Sequence, residues 1–350
     1  MSKLNHFIWS CTRAFETKCA YSLSDGKPLL NELTTDEAKI LIAKAADFGV
    51  DYFFISGAGC TGEPLMRTDL IELIQYASEY RLAPNLKLSG HRFTKEVAKE
   101  LAAGGGKATI GFAGLKETDY LLRGKGAYEE TIEAAKLCAA YGVPFSLHVV
   151  NTKYVVNQVH DLVMLSLDLG AHAFYLASLI PQPICVEDQL RILGPLEPTP
   201  AQREKQLMEI YTLSKELGEK IQIVPYDMFY KRILKTKDPS LDLHSGCSMC
   251  DNLVRNEWLE VLDDGKAYSC SPLGLTYGDI RKDSIQEIMS RMRPSELVEK
   301  LADHKNLKGK CGICEFSNIC GGCRGRAYIY SGDMFNPDPM CAYLPKRNKS

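Results

Sequence analysis

The chain has 350 residues, of which 45% are hydrophobic, and a formal net charge of −2. This length allows about two domains with a buried core, and the balanced charge excludes nucleic acid or an anionic membrane as the expected partner. The N-terminus has no signal-like apolar run, and no stretch reaches the length that spans a bilayer. We therefore expect a cytoplasmic protein.

The first two-thirds of the chain alternates short β-rich runs with amphipathic helical patterns, which is typical of βαβ units. Six strands are predicted, at His6–Trp9, Asp51–Ser56, Leu86–Ser89, Lys107–Gly111, Pro144–Val149 and His172–Ala177. Five helices are predicted between them, at Thr35–Phe48, Asp69–Tyr80, Lys95–Ala103, Tyr128–Tyr141 and Gln158–Leu169. This order predicts an α/β fold with a parallel sheet, either open or a partial (β/α)₆ barrel. In both cases ligands bind at the carboxyl ends of the strands.

A proline-rich break between Pro181 and Pro200 follows the sixth strand and precedes a further helix, Ala201–Leu217, and a strand, Lys220–Val224. Proline-rich stretches of this kind often mark domain boundaries. We predict a first domain over residues 1–195, a connecting helix and strand over 196–240, and a cysteine-rich domain over 241–350.

Eight of the thirteen cysteines lie in the cysteine-rich domain, at Cys247, Cys250, Cys270, Cys311, Cys314, Cys320, Cys323 and Cys341. In a reducing compartment such thiols bind metal rather than form disulfides, and soft sulfur ligands favour zinc or iron–sulfur clusters. Eight thiolates suit two four-cysteine sites. A single zinc ion held by Cys311, Cys314, Cys320 and Cys323 is the alternative, because zinc needs only four tetrahedral sulfurs.

Three segments, taken in order, resemble a known family. They are T-R-A-F-E-T-K-C-A-Y-S from Thr12, T-G-E-P-L-M-R from Thr61, and the tail C-E-F-S-N-I-C-G-G-C-R-G-R-A-Y from Cys314. The chain resembles the radical S-adenosylmethionine (radical SAM) enzymes that carry a C-terminal SPASM domain. The tail is most similar to the branch that makes haem and haem d₁.

The resemblance implies an α/β fold with a partial (β/α)₆ TIM-like barrel and an iron–sulfur SPASM domain. It implies two auxiliary [4Fe–4S] clusters, the first on Cys247, Cys250, Cys270 and Cys323, the second on Cys311, Cys314, Cys320 and Cys341. It also implies S-adenosylmethionine as cofactor, a reductant such as ferredoxin or flavodoxin, and an oxidoreductase or maturase that modifies a tetrapyrrole, a cofactor precursor or a peptide. Oxygen-sensitive clusters suggest an anaerobic organism.

The chain departs from the family in the C-x₃-C-x₂-C loop, whose three thiolates hold the cluster that cleaves S-adenosylmethionine. Alignment places Phe15 and Ser22 at the first and third cysteine positions, and only Cys19 is in register. One hypothesis is a rearranged cluster held by Cys11, Cys19 and Cys60, which all follow adjacent strands. The other is a degenerate barrel without S-adenosylmethionine cleavage, whose auxiliary clusters serve an electron carrier or a partner subunit.

Further candidates follow from the resemblance. Residues expected to contact S-adenosylmethionine are Thr61, Gly62, Glu63, Ser89 and Arg123. Arg123 and Cys185 are the candidate catalytic side chains. Arg123 could instead form a salt bridge with Asp119 or Glu117, and Cys185 could be a spare ligand or have no role. For a tetrapyrrole substrate, the candidate partners of its propionate groups are Arg67, Arg92 and Arg123. Cys138 is predicted to lie on the face of a helix that packs into the hydrophobic core.

Overall fold

The computed structural model describes residues 4–22, 24–58, 62–180, 189–241, 258–292 and 296–346. Cys60, Thr61, Cys185, Cys247 and Cys250 therefore lie outside the described residues. No helix in these described ranges is long and apolar enough to cross a membrane.

The described strands form one sheet of ten strands, in the order β10-β9-β8-β1-β2-β3-β4-β5-β6-β7. The strands are β1 His6–Ser10, β2 Tyr52–Ser56, β3 Pro84–Leu88, β4 Lys107–Phe112, β5 Phe145–Asn151, β6 Ala173–Ser178, β7 Gln222–Tyr226, β8 Trp258–Val261, β9 Lys266–Tyr268 and β10 Thr276–Asp279. Strands β1 to β7 are parallel in chain order, as a series of βαβ crossovers requires. The predicted α/β fold with a partial barrel is confirmed.

Helices connect the parallel strands and continue into the C-terminal part. They are α1 Thr35–Phe48, α2 Leu70–Glu79, α3 Lys95–Ala103, α4 Lys116–Arg123, α5 Ala127–Ala140, α6 Val159–Asp168, α7 Gln189–Leu193, α8 Pro200–Leu217, α9 Met228–Lys237, α10 Ile285–Met292, α11 Glu296–Ala302, α12 Gly309–Gly312 and α13 Arg324–Ser331. The short helix α4 was not predicted from the sequence. It places Arg123 beside the carboxyl ends of β3 and β4.

Local signals explain where α1 begins and ends. Thr34 accepts a hydrogen bond from the Glu37 N–H, and Glu37 reaches back to the Thr34 N–H, which is a capping box. Gly49 ends the helix with a φ of 77°, a left-handed conformation that costs glycine little. Helix α1 is thereby fixed at both ends and packs against the sheet.

One main core fills the space between the sheet and its helices. Phe7 and Trp9 alternate along β1 and are fully buried in this core, and Cys11 continues the same alternation. A smaller cluster of Tyr21, Ala113, Leu122, Leu179 and Leu193 lies apart from the main core, and Cys19 packs against it. A third cluster, Cys270, Leu273 and Leu301, belongs to the C-terminal part.

Strand β8 extends the barrel sheet, because it pairs in parallel with β1 over His6 to Trp9. Side chains reinforce this edge: Ser10 Oγ donates to Glu260 Oε1 at 2.9 Å, and Arg13 forms a bidentate ion pair with Asp263 at 2.5 and 2.9 Å. The cysteine-rich part is therefore joined to the barrel by backbone hydrogen bonds. The domain boundaries at 195 and 240 remain predictions.

Candidate cofactor and substrate site

Four of the tail cysteines line one cavity, and they are Cys311, Cys314, Cys320 and Cys341. These are the four residues predicted to hold the second auxiliary cluster. Apolar rings from Phe229, Phe316 and Tyr343 line the same cavity, together with the cations Arg232 and Lys310. A cavity lined by cations suits thiolate ligands, because cations favour the ionised thiol.

The cavity cysteines show how burial and charge compete. Burial raises the pKa of Cys341, while the Lys310 ammonium acts to lower it. Burial also raises the pKa of Cys314, against which Arg232 acts. Iron binding requires the thiolate, so the nearby cations offset part of the cost of ionising buried thiols.

The cavity separates the two predicted ligand sets. Cys323, the fourth residue of the zinc alternative, does not line the cavity, whereas Cys341 does. A zinc ion would need four sulfurs about 2.3 Å away, whereas in a polynuclear cluster each thiolate binds a different iron. The lining therefore matches the four residues predicted for the second auxiliary cluster, and the metal that they hold stays a prediction.

Cys270 and Cys323, predicted for the first auxiliary cluster, lie at the starts of two short helices that touch. Cys270 precedes the turn Ser271–Leu273, and Cys323 is the N-cap of α13. A Cβ atom on Gly325 of α13 would stand 2.8 Å from the Pro272 Cβ, so glycine permits this close packing. The Cys323 Sγ accepts a hydrogen bond from the Arg326 N–H at 3.4 Å. The other two predicted ligands lie outside the described residues.

The loop after β1 is held by polar contacts. The Arg13–Asp263 pair fixes its start, and Glu16 pairs with His91 at 2.7 Å and with Arg92. The Phe15 N–H donates to the Gly26 carbonyl at 3.1 Å, and Ser22 Oγ accepts from the Cys19 N–H at 3.0 Å. Phe15 has no ligating atom, so this loop does not fit the family's three-thiolate cluster.

The three cysteines of the rearranged-cluster hypothesis have different surroundings. Cys11 is fully buried in the main core, and burial raises its pKa strongly. Cys19 packs against the smaller cluster, and burial raises its pKa to about 11. Cys60 lies outside the described residues. The hypothesis that these thiols share a cluster stays a prediction.

Glu63 and Ser89, both predicted to contact S-adenosylmethionine, lie together at the carboxyl ends of β2 and β3. The Ser89 N–H and Oγ donate to Glu63 Oε2 at 2.8 and 2.5 Å. Burial raises the pKa of Glu63, against which these hydrogen bonds act. A Cβ on Gly62 would overlap the Thr12 carbonyl oxygen. The glycine therefore lets this turn pack directly on the loop after β1.

Arg123 is buried and pairs with Asp119, with Nη2 at 2.7 Å from the carboxylate. Its remaining donors reach the carbonyl oxygens of Ser89 and Gly111 at 3.3 and 3.1 Å, and Thr131 Oγ1 at 2.8 Å. Every guanidinium nitrogen is thus hydrogen-bonded within the protein. This is the salt-bridge arrangement that the sequence offered as the alternative to ligand binding.

The other two arginines predicted to bind propionates are also engaged. Arg67 pairs with Asp69 at 2.6 Å and donates to the Leu33 carbonyl at 2.9 Å. Arg92 pairs with Glu16. The candidates that the sequence suggested therefore already have protein partners.

The sequence analysis missed two buried arginines near the carboxyl ends of β5, β6 and β7. Arg203 of α8 pairs with Asp227, and Arg326 of α13 lies 3.3 Å from Asp338. Both guanidinium groups lie over the ring of Phe229, at 5.7 and 5.8 Å. The only sequence signal for Arg326 is its place three residues after Cys323, and Arg203 follows the helix-starting Thr199-Pro200.

Comparison with known proteins identifies the family. The Radical SAM superfamily pattern matches residues 14–165. The chain is 31% identical to an AdoMet-dependent heme synthase of Methanosarcina barkeri over 96% of each chain. It is 29% identical to a PqqA peptide cyclase of Bradyrhizobium diazoefficiens, covering 90% of this chain and 79% of that relative. The crystal structure of Streptococcus suis SuiB bound to S-adenosylmethionine shares the fold, with a TM-score of 0.74 at 17% identity over 98% of this chain and 78% of SuiB.

The ten-stranded sheet and the full-length relatives define a partial-barrel enzyme with a cysteine-rich C-terminal part. The chain belongs to the radical SAM superfamily, and its full-length relatives are of the SPASM type. Members of this superfamily bind a [4Fe–4S] cluster and S-adenosylmethionine. The predicted family is therefore confirmed, whereas the individual ligands remain predictions.

Proposed function

We propose that this enzyme is an oxidoreductase or maturase that modifies a tetrapyrrole. The observation that carries the proposal is the single cavity lined by Cys311, Cys314, Cys320 and Cys341, which fits an auxiliary iron–sulfur cluster. The similarity to heme synthase over nearly the whole chain supports a tetrapyrrole. The similarity to PqqA peptide cyclase supports a peptide as the second substrate class.

In this proposal the chain's own residues hold the cofactors and shield them from water. Cys247, Cys250, Cys270 and Cys323 hold the first auxiliary cluster, and the four cavity cysteines hold the second. Iron–sulfur clusters supply one-electron transfer at potentials set by charge, hydrogen bonds to sulfur and exposure. The Arg326 N–H donates to Cys323 Sγ, and the rings of Phe229 and Phe316 exclude water from the cavity.

The S-adenosylmethionine site lies, in the same proposal, at the carboxyl ends of β2 and β3. Thr61, Gly62, Glu63 and Ser89 surround it, and Cys11, Cys19 and Cys60 are the candidate ligands of a rearranged cluster. Glu63 offers a buried carboxylate for an ammonium group. Cys185 stays the candidate catalytic thiol, and a small protein such as ferredoxin or flavodoxin is the proposed reductant.

The sequence of the loop after β1 leaves a second function as the alternative. Phe15 and Ser22 stand at two of the three ligand positions, and ion pairs of Arg13 and Glu16 hold the loop. Loss of two thiolates would leave a barrel that serves as an electron carrier or a partner subunit of an active relative. This alternative keeps both auxiliary clusters and lacks cleavage of S-adenosylmethionine.

One experiment separates the two functions. Iron and sulfide are measured after anaerobic reconstitution, together with reductant-dependent formation of 5′-deoxyadenosine. About twelve irons with 5′-deoxyadenosine support the radical enzyme, and about eight irons without it support the electron carrier. Alanine at Cys11, Cys19 or Cys60 lowers the iron content if these residues bind a cluster. Unchanged iron in all three variants rejects the rearranged cluster.

A further inference from the structure

Unpaired polar atoms concentrate in one buried group of side chains, which we call the arginine cluster. Its members are Asn151, Thr152, Glu197, Arg203, Gln206 and Arg326. In the described part of the chain, thirteen buried side-chain nitrogen and oxygen atoms have no hydrogen-bond partner, and seven of them belong to this cluster. Because leaving one such atom unpaired costs about 1 to 3 kcal/mol, a polar group that paired with these atoms would be stabilised here.

The members of the arginine cluster are continuous in space. Asn151, at the end of β5, donates to Gln206 Oε1 at 2.5 Å, and Arg203 lies one turn before Gln206 on α8. Arg203 and Arg326 lie over the same phenylalanine ring. Glu197 accepts a hydrogen bond from Tyr330, one turn after Arg326 on α13. The cluster thus spans from the barrel's carboxyl edge to the helix that begins at Cys323.

The two arginines differ from a purely structural buried arginine in the same chain. Arg123 is 6% exposed, and all three of its guanidinium nitrogens are hydrogen-bonded. Arg203 and Arg326 are each 1% exposed, yet Nη1 of Arg203 and both Nε and Nη1 of Arg326 have no hydrogen bond. The Arg326 Nε lies 3.3 Å from Asp338 Oδ1, but without the alignment of a hydrogen bond. Ion pairing with aspartate therefore leaves donors free on both arginines.

The free donors define the chemistry of the occupant. A planar guanidinium binds a carboxylate through two parallel N–H donors, and the charge makes these hydrogen bonds about twice as strong as neutral ones. Asp227 and Asp338 balance the two arginine charges, and burial raises the pKa of Glu197, which favours its neutral form. The donors available to one further carboxylate are therefore the three unpaired arginine donors and the Gln206 Nε2 amide.

We propose that Arg203 and Arg326 form a carboxylate-binding site that takes a carboxylate group of the substrate. The assignment of this carboxylate to the substrate rests on the proposed function. The site lies at the carboxyl ends of the parallel strands, where such folds bind ligands. Because Arg326 follows Cys323 by three residues, a substrate anchored here stands beside the predicted first auxiliary cluster.

The first test uses the native, reconstituted protein without reductant. Binding of coproporphyrin III, which carries four propionates, is measured from the change in its absorbance as protein is added. Its tetramethyl ester, which lacks the charged carboxylates, is the matched control ligand. We expect the free acid to bind at least tenfold more tightly. In a second arm, a short glutamate peptide is compared with its glutamine counterpart, so that a tetrapyrrole and a peptide source of the carboxylate are distinguished.

The second test changes the protein. Arg203→Gln and Arg326→Gln should each weaken binding of the preferred acid by roughly 10- to 100-fold, the equivalent of losing one charged hydrogen-bonding pair. Arg203→Lys and Arg326→Lys keep the charge beside the aspartates but lose the planar fork, and they should also weaken binding. Lys205→Gln removes a charge from the exposed side of α8 and is the matched control, with no expected loss.

Iron content and thermal unfolding show whether each variant is folded. If the glutamine variants do not fold, the lysine variants and the acid-to-ester comparison still test whether the site binds a carboxylate. The proposal is overturned if each acid binds no better than its uncharged counterpart, the ester or the glutamine peptide. It is also overturned by unchanged acid binding in the arginine variants, or if neither acid binds. Because binding is measured without turnover, absence of 5′-deoxyadenosine rejects the proposed function and leaves this result intact.

Discussion

Paired substitutions can show which cysteines share a cluster. Cys311 and Cys341 line the same cavity, so replacing both with alanine removes half of the four thiolates around it. The protein should then contain about four fewer irons and four fewer sulfides per chain, the content of one [4Fe–4S] cluster. Adding Cys320→Ala should remove no further iron, because that cluster is already absent. Adding Cys323→Ala should remove about four more, because Cys323 lies outside the cavity and is predicted to hold the other auxiliary cluster.

The assay is iron and acid-labile sulfide per chain after anaerobic reconstitution, with electron paramagnetic resonance of the reduced protein to count distinct clusters. Cys138 is fully buried in the main core and is the control, since Cys138→Ala should keep all the iron. The reasoning is refuted if Cys320→Ala removes a second cluster, or if Cys323→Ala removes none. The first result would mean that the four cavity thiolates do not share a cluster, and the second would mean that Cys323 does not hold the other cluster.

Three further predictions concern the barrel. Asp119→Ala leaves the buried Arg123 unpaired and should lower the free energy of unfolding by about 3 to 5 kcal/mol, measured by urea denaturation. Burial acts to lower the pKa of His91, but hydrogen bonds to two glutamates raise it above the unfolded value of about 6.5. The resulting stability is full below that pH and is lost as pH rises through the folded pKa, which unfolding midpoints across pH should show. Gly62→Ala should cost about 1 to 3 kcal/mol, since its Cβ would overlap the Thr12 carbonyl.

Matched controls make these outcomes specific. Asp161→Ala removes an exposed carboxylate and should change stability little. Gly194 has open space around its Cβ position, so Gly194→Ala should be tolerated. His91→Gln should make the unfolding midpoint depend less on pH. A pH profile of unfolding that is the same with and without His91 would contradict the assigned role of its charge.

The fold was predictable because the strands and helices are regular. The six predicted strands and the strand after the proline-rich break correspond to β1 to β7, displaced at their ends by a few residues. Period-two and period-3.6 patterns in sequence are local, and they specify such elements directly. The parallel pairing of β8 with β1 was not predicted, because it joins segments about 250 residues apart and leaves no local pattern.

The site was predictable only where residue identity determines chemistry. The resemblance to the family predicted that Cys311, Cys314, Cys320 and Cys341 share a site, and the four side chains line one cavity. The roles of the arginines could not be predicted from residue identity. Arg123 forms an ion pair with Asp119, whereas Arg203 and Arg326 keep unpaired donors. Only the positions of the neighbouring residues distinguish these cases. Hydrogen-bond saturation is a property of three-dimensional packing, so sequence alone could not rank the arginines.

The pairing of β8 with β1 has a consequence for synthesis on the ribosome. Glu260 of β8 is translated 250 residues after its partner Ser10, so at about 5 to 20 residues per second β1 waits roughly 12 to 50 seconds with one edge open. An open strand edge is a template for pairing with another chain. Nascent chains of this enzyme therefore expose one edge of β1 to pairing with other chains until the C-terminal part emerges and β8 covers that edge.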